Sequence, residues 1–341
     1  MNKRLFGVLI FVVVTGLALT ACGDSKGKAA AAKDGYVIGY DIYFVGNTWS
    51  VQLWKEFESA AGKNDKVAEV IYVESGGDVE RQIANLEDLI TNKVDAIITT
   101  PNSPTALVPV LNKARNAGIK VILLAATIEG DGYDALVTVN DYDFGKVGAE
   151  WLVKRLDGKG NIIMLDGIAG ISVSDDRTRG GMDVFKQYPG IKVVAQDFTN
   201  WDYATAKIVV ADMLASNPKI DGVWSQGGAV TQGAIEAFQA AGRPLVPMTS
   251  EDGNGFLKLW KSLQPQGFSS IACSKPTWLS EVALATAIDL LDGKSVSKDY
   301  NLDVPVFSDD ELDKYLRPNL SDSLFANTHL SDEELARIFS N

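Results

Sequence analysis

Residues able to do covalent chemistry are scarce in this chain. Its 341 positions include one histidine, His329, and two cysteines, Cys22 and Cys273. A nucleophilic triad or a zinc centre needs several such side chains together, so neither can be assembled, and no metal is expected. The candidates that remain are aromatic, amide and carboxylate residues recurring directly after short β-branched runs. Asn47-Thr48-Trp49 follows Tyr36–Ile42, Pro101-Asn102 follows Val94–Thr100, and Asp166-Gly167 follows Asn161–Leu165. Asn200-Trp201-Asp202 follows Lys192–Phe198, Gln226-Gly227-Gly228 follows Gly222–Ser225, and Glu251-Asp252-Gly253 follows Leu245–Thr249. Such side chains hold a guest by ring contact and hydrogen bonds.

The elements that must position these stations alternate with a βαβ rhythm. Further strands are expected at Val67–Val73, Lys120–Leu124, Ala135–Val139 and Gly267–Ala272, with helices between. In Asp78–Asn92 the residues Val79, Ile83, Leu86 and Ile90 share one face and Asp78 can cap. Ser103-Pro104 reads as a cap with proline at the first helical position, and Pro109 then predicts a kink or early break. Ser308-Asp309-Asp310-Glu311 and Ser331-Asp332-Glu333-Glu334 have the Ser-to-Glu spacing of capping boxes and predict two late short helices. Ten strand candidates exceed one small sheet. A closed eight-stranded barrel is the competing architecture, but ligands of open parallel sheets sit beyond the strand C-termini, where the unusual residues cluster in both halves.

Phosphate-binding motifs are missing from the places they would need to occupy. The first loop reads Tyr43-Phe44-Val45-Gly46-Asn47-Thr48-Trp49, without the glycine triplet of a nicotinamide site, and Gly293-Lys294-Ser295 has Ile288 where a phosphate loop needs its first glycine. Carboxylate pairs exist, as in any acidic chain, with nothing to separate them from solvated charges. Binding without catalysis or cofactor is the expectation. Lys and Arg number 32 against 44 Asp and Glu, a net charge of −12, which argues against nucleic acid as a partner.

Residues 1–21 run basic, apolar, then small, as an export signal does; a membrane-spanning helix is the alternative reading. Leu19-Thr20-Ala21-Cys22 resembles the bacterial lipobox, which implies diacylglycerol on the Cys22 thiol, with 22–35 as a tether to the membrane. An incidental cysteine in a soluble exported protein is the plainer alternative. Cys273 would then be the only thiol of the exported body, leaving no internal disulfide to form.

The ordered stations Gly46-Asn47-Thr48-Trp49, Val94-Asp95-Ala96-Ile97-Ile98, Gly118-Ile119-Lys120-Val121-Ile122, Gly167-Ile168-Ala169-Gly170, Arg177-Thr178-Arg179-Gly180, Ala241-Gly242-Arg243 and Asp252-Gly253 resemble the ribose-binding-protein-like family of type I periplasmic binding proteins. The resemblance spans about Tyr36 to Lys294. It implies an α/β protein of two doubly wound parallel-sheet lobes joined by a three-crossover hinge, closing on a sugar and presenting it, as a monomer, to the membrane permease of an ABC transporter. A lipid-anchored sensor serving a membrane receptor, for a signal molecule, polyol or nucleoside, is the alternative; a DNA-reading regulator would need a helix-turn-helix where the lipobox stands. Carried over by position, the crossovers fall near Asn140, Ser274 and Tyr300. The lobes are then 36–140 plus 275–300, and 141–274 plus 301–341.

On the same resemblance Asn47 and Trp49 match the ligand-contacting amide and first aromatic, Arg179 the binding arginine, Trp201 the second aromatic and Asp252 the carboxylate that holds hydroxyls. Arg177 competes with Arg179 for its role. Asn102, Asp166 and Gln226 are further candidates at strand ends, with Glu251 and Asp176 behind them. An indole covers the C–H face of a sugar while amides, carboxylates and guanidinium meet its hydroxyls, so Trp49 and Trp201 would sandwich the ring. Plainer roles compete: Trp49 as a helix-start apolar residue, Asp252 as a cap, Asn47 and Asn102 as turn residues. Ala125-Ala126 replaces the usual Asp-Arg, Gly227-Gly228 the usual Asn-Asp and Cys273 the usual glutamine, which argues for a ligand bulkier, less hydroxylated or differently oriented than ribose.

Overall fold

The structure, a computed structural model, describes residues 34–339. The export signal, Cys22 and most of the tether lie outside the described residues. Asp34–Asn341 is one compact unit. Its strands are β1 (Tyr36–Ile42), β2 (Val67–Glu74), β3 (Ala96–Thr100), β4 (Lys120–Leu124), β5 (Ala135–Val139), β6 (Lys159–Asp166), β7 (Gly190–Phe198), β8 (Gly222–Ser225), β9 (Met248–Glu251), β10 (Ser270–Cys273), β11 (Asp299–Leu302) and β12 (Val306–Phe307). The helices are α1 (Thr48–Gly62), α2 (Val79–Thr91), α3 (Val108–Asn116), α4 (Asp141–Arg155), α5 (Ser172–Phe185), α6 (Tyr203–Ser216), α7 (Gly228–Ala240), α8 (Asn254–Leu263), α9 (Leu279–Leu291), α10 (Leu312–Tyr315) and α11 (Asp332–Ile338). None of them is long and apolar enough to cross a membrane.

Two six-stranded sheets result, ordered β11-β5-β4-β3-β1-β2 and β12-β10-β9-β8-β6-β7. Every pairing is parallel except β10 with β12. The central strands β3 and β5 are buried at every position, as expected for sheets covered by helices on both faces. Two apolar cores flank each sheet: Tyr40, Phe57 and Leu284 lie in one beside the first sheet and Leu86, Leu111 and Val121 in the other. Phe238, Phe256 and Trp260 are in one core of the second sheet, Leu152, Met164 and Trp224 in the other. This disposes of the single barrel.

Capping follows the sequence where a short polar side chain stands free to turn back on the backbone. Asp78, Asn140 and Asp202 each accept the amide three residues on, opening α2, α4 and α6. Both halves of the Ser331–Glu334 box are formed. The Ser103 expectation fails: its Oγ accepts from Ala106 N at 3.1 Å in a local turn, and α3 begins only at Val108. Pro109 is the reason. Proline is tolerated in a first helical turn, so the helix starts beside it instead of kinking over it. The third crossing also moves. β11 pairs with β5 through Leu302, so the chain passes to the second sheet between Leu302 and Val306, beyond Tyr300.

Candidate functional site

The C-terminal ends of both sheets face one cavity of about 670 Å³. From the first sheet it is lined by Tyr43, Asn47, Trp49, Asn102, Ala125 and Ala126, and from the second by Ile171, Arg177, Trp201, Asp202, Gly227 and Glu251. The two sides touch directly, Thr127 N donating to Ser172 Oγ at 3.2 Å.

Each wall residue is held by its own element. Asn47 caps α1, its Oδ1 accepting from Ser50 N at 2.8 Å, so Trp49 sits in the first helical turn. The Trp49 Nε1 donates to Lys275 O at 2.7 Å, which fixes the indole. Asn102 is tied to the loop after β2, its Nδ2 donating to Gly77 O at 2.6 Å. Asn200 and Trp201 take left-handed backbone angles, φ +55° and +52°. For a bulky side chain that conformation is costly and persists only where the surroundings enforce it. The surroundings are two glycines. A Cβ on Gly167 would lie 2.2 Å from the Trp201 ring and one on Gly227 3.2 Å from it, so the indole occupies a slot only glycine leaves open. Its Nε1 is buried with no protein partner.

Arg177 is one of two buried cations at the cavity. Its Nε donates to Asp141 Oδ1 at 3.0 Å, one terminal nitrogen to Gln226 O at 2.9 Å and the other to Glu251 Oε1 at 3.3 Å, while its guanidinium lies 3.6 Å from the Phe144 ring centre. Lys275 extends the chain, its Nζ donating to Asp141 Oδ2 and to Ala125 O, both at 2.5 Å. Burial lowers the Lys275 pKa, with Asp141 opposing, and raises the Glu251 carboxyl, with Arg177 opposing. Each of the two cations thus meets a carboxylate, so neither is left unpaired for a guest to neutralise.

Of the expected site residues, Asn47, Trp49, Asn102 and Trp201 reach the cavity, as do the further candidates Arg177 and Glu251, while Asp166, Asp176, Arg179, Gln226 and Asp252 do not line it. Arg179 points outward, 60% exposed and paired with Asp176 at 2.6 Å; Arg177 has its place. Asp252 is buried facing the C-terminal segment, its Oδ2 accepting from Asn327 N at 2.8 Å, and its neighbour Glu251 is the one that lines the cavity. Asp166 and Gln226 lie behind the wall: Asp166 accepts from Thr178 Oγ1 at 2.8 Å and Gln196 Nε2 at 2.6 Å, and Gln226 Nε2 donates to Asp166 Oδ1 at 3.2 Å and Thr178 Oγ1 at 2.9 Å. They brace the turn of α5 that carries Arg177. Asp141, Lys275 and Phe325 escaped the sequence reading. Lys275 follows a strand directly after an expected crossover, a signal that could have found it; Phe325 had none. Among the described residues no cluster of metal-binding type occurs.

A family model described as "Periplasmic binding protein domain" matches residues 38–295. The chain belongs to the periplasmic binding protein family. Among curated relatives, the "Xylitol-binding protein" of Mycolicibacterium smegmatis is 30% identical over 310 residues, 90% of this chain and 86% of that one. The ribose import binding protein of Bacillus subtilis is 25% identical over 296 residues, 85% and 95% of the two chains. Among solved structures, an ABC transporter periplasmic solute-binding protein from Actinobacillus succinogenes with bound D-allose aligns with a TM-score of 0.70 at 25% identity, over 82% of this chain and all of the other. For this periplasmic binding protein the cavity between the sheets is therefore the region to read for ligand.

Proposed function

We propose that this chain captures an uncharged sugar or sugar-like polyol between its two lobes outside the cytoplasm and delivers it to an ABC permease, without performing catalysis. The observation that carries the reading is the cavity itself: indoles from both sheets, Trp49 and Trp201, beside amides and two buried cations that are already paired. Asn47, Trp49, Asn102, Arg177, Trp201 and Glu251 are the proposed ligand contacts. The xylitol, ribose and allose named for the relatives belong to the same chemical class. Ala125, Ala126, Ile168, Ile171 and Val173 give the cavity an apolar stretch, which favours a ligand with an unhydroxylated face or edge. Binding shifts an open–closed equilibrium of the lobes, and the permease reads the closed form. Cys22 is the proposed acylated anchor and 22–35 the tether.

The test is a thermal-shift screen of residues 34–341 against pentoses, hexoses, polyols and nucleosides, followed by calorimetry, since a ligand bound to the folded state raises its melting temperature. A shift with a sugar or polyol supports the reading; a shift with none of them overturns it. For the anchor, Cys22→Ser should abolish incorporation of labelled palmitate and membrane retention, and unchanged labelling would reject the lipid.

A further inference from the structure

The chain beyond residue 295 lies outside the family match, yet part of it returns to the ligand cavity: Phe325 lines it. At that point the chain is held between the two lobes. On one side Gln52 of α1 grips the Phe325 peptide with both ends of its amide, Nε2 donating to Phe325 O at 3.1 Å and Oε1 accepting from Phe325 N at 2.8 Å. On the other, Phe325 forms a β-bridge with Gly253, next to the second sheet.

Neighbouring residues repeat the arrangement. Towards the second lobe the links are largely main-chain: Asn254 N donates to Leu324 O at 2.8 Å, Gly255 N to Asp322 O at 2.9 Å and Ala326 N to Asp252 O at 3.0 Å. Towards the first lobe they are side-chain links. Trp278 Nε1 donates to Asn327 Oδ1 at 3.1 Å, Thr328 Oγ1 donates to the buried Glu56, and His329 stacks on Trp278 with ring centres 5.0 Å apart. The segment also has an apolar core of its own, Leu324, Leu330 and Leu335. It is an ordered body fastened to one lobe and resting on the other, so parting the lobes must break the Gln52, Glu56 and Trp278 contacts.

We propose that residues 320–330 form a strap that completes the ligand cavity through Phe325 and latches the first lobe to the second, making ligand affinity a property of this segment as well as of the strand-end loops. The part played by Phe325 rests on the reading of the cavity as a sugar site; the latch does not.

The test uses the full chain with Gln52→Leu and, separately, Phe325→Ala. Spin labels attached through ketone-bearing residues at positions 113 and 186, one on each lobe, leave both cysteines untouched and report lobe separation without any sugar. Gln52→Leu should lengthen or broaden that distance, with Thr328→Val giving a smaller change in the same direction. Calorimetry with xylitol, D-ribose, D-allose and myo-inositol should show at least about a tenfold loss of affinity in Phe325→Ala for each that binds the unaltered chain. Unchanged label distances in Gln52→Leu and Thr328→Val overturn the latch, and unchanged affinity in Phe325→Ala overturns the cavity role. Should neither these four nor any sugar or polyol of the thermal-shift screen bind the unaltered chain, the sugar reading fails and the label distances alone decide the strap.

Discussion

Two arginines two residues apart have opposite fates, and the difference is measurable. Arg177→Met would leave Glu251 buried without its cation and Asp141 with Lys275 alone, a loss of about 3–5 kcal/mol for breaking such a pair, whereas Arg179→Met should stay within about 0.5 kcal/mol. Urea unfolding of both variants at pH 7 checks this. Equal costs would remove Arg177 from the centre of the site. Trp49→Ala and Trp201→Ala should each weaken sugar binding by about tenfold or more, because each removes a large apolar contact face. Buried carboxyls, Glu251 among them, set the pH response, and two of them stand apart from the paired cations. Asp41 is buried, accepts from Gln82 at 2.7 Å and Thr99 at 2.6 Å, and burial pushes its pKa up to about 7; burial likewise pushes Asp252 up to about 6. Both bind a proton more tightly folded than unfolded, so their contribution is full below about pH 4 and declines as pH rises through 6 and 7. Melting temperature should therefore be higher at pH 5 than at pH 8, and Asp41→Asn should narrow that gap. An unchanged gap would exclude Asp41 as its source.

Among the elements, α4 and α5 govern the site because they set where Arg177 stands. They approach so closely that a Cβ on Gly145 would lie 1.9 Å from Arg177 O and one on Gly180 2.0 Å from Tyr142 O. Gly145→Ala should cost about 1–3 kcal/mol, the range for overpacking, and lower ligand affinity as well. A stability loss with affinity intact would show that the helix spacing does not position the guanidinium. Gly167→Ala should act more locally, moving the Trp201 ring and reducing affinity with little change in unfolding. These contacts also explain what could be read in advance. Alternation of β-branched runs with helical periods revealed the two sheets, since burial on both faces leaves that pattern in each strand. Strand-end positions revealed Asn47, Trp49, Asn102 and Trp201. The choice between Arg177 and Arg179 turns on helix phase: at about 100° per residue the two lie on nearly opposite faces, and the phase of α5 is set by its glycine contacts with α4. The chain Ala125, Asp141, Arg177, Glu251, Lys275 joins five distant stretches, which no local pattern announces.

At the scale of the molecule, the cavity holds Arg177 and Lys275 already matched by Asp141 and Glu251. A phosphorylated sugar would bring up to two further negative charges into a space where both buried cations are taken. Phosphate esters of a bound sugar should therefore fail to compete with it in calorimetry, and competition at similar affinity would contradict the internal balance. The metabolic corollary concerns order of events. If phosphate esters fail to compete, what such a receptor passes inward is the free carbohydrate, and any kinase that traps and activates it must act after translocation, on the far side of the bilayer.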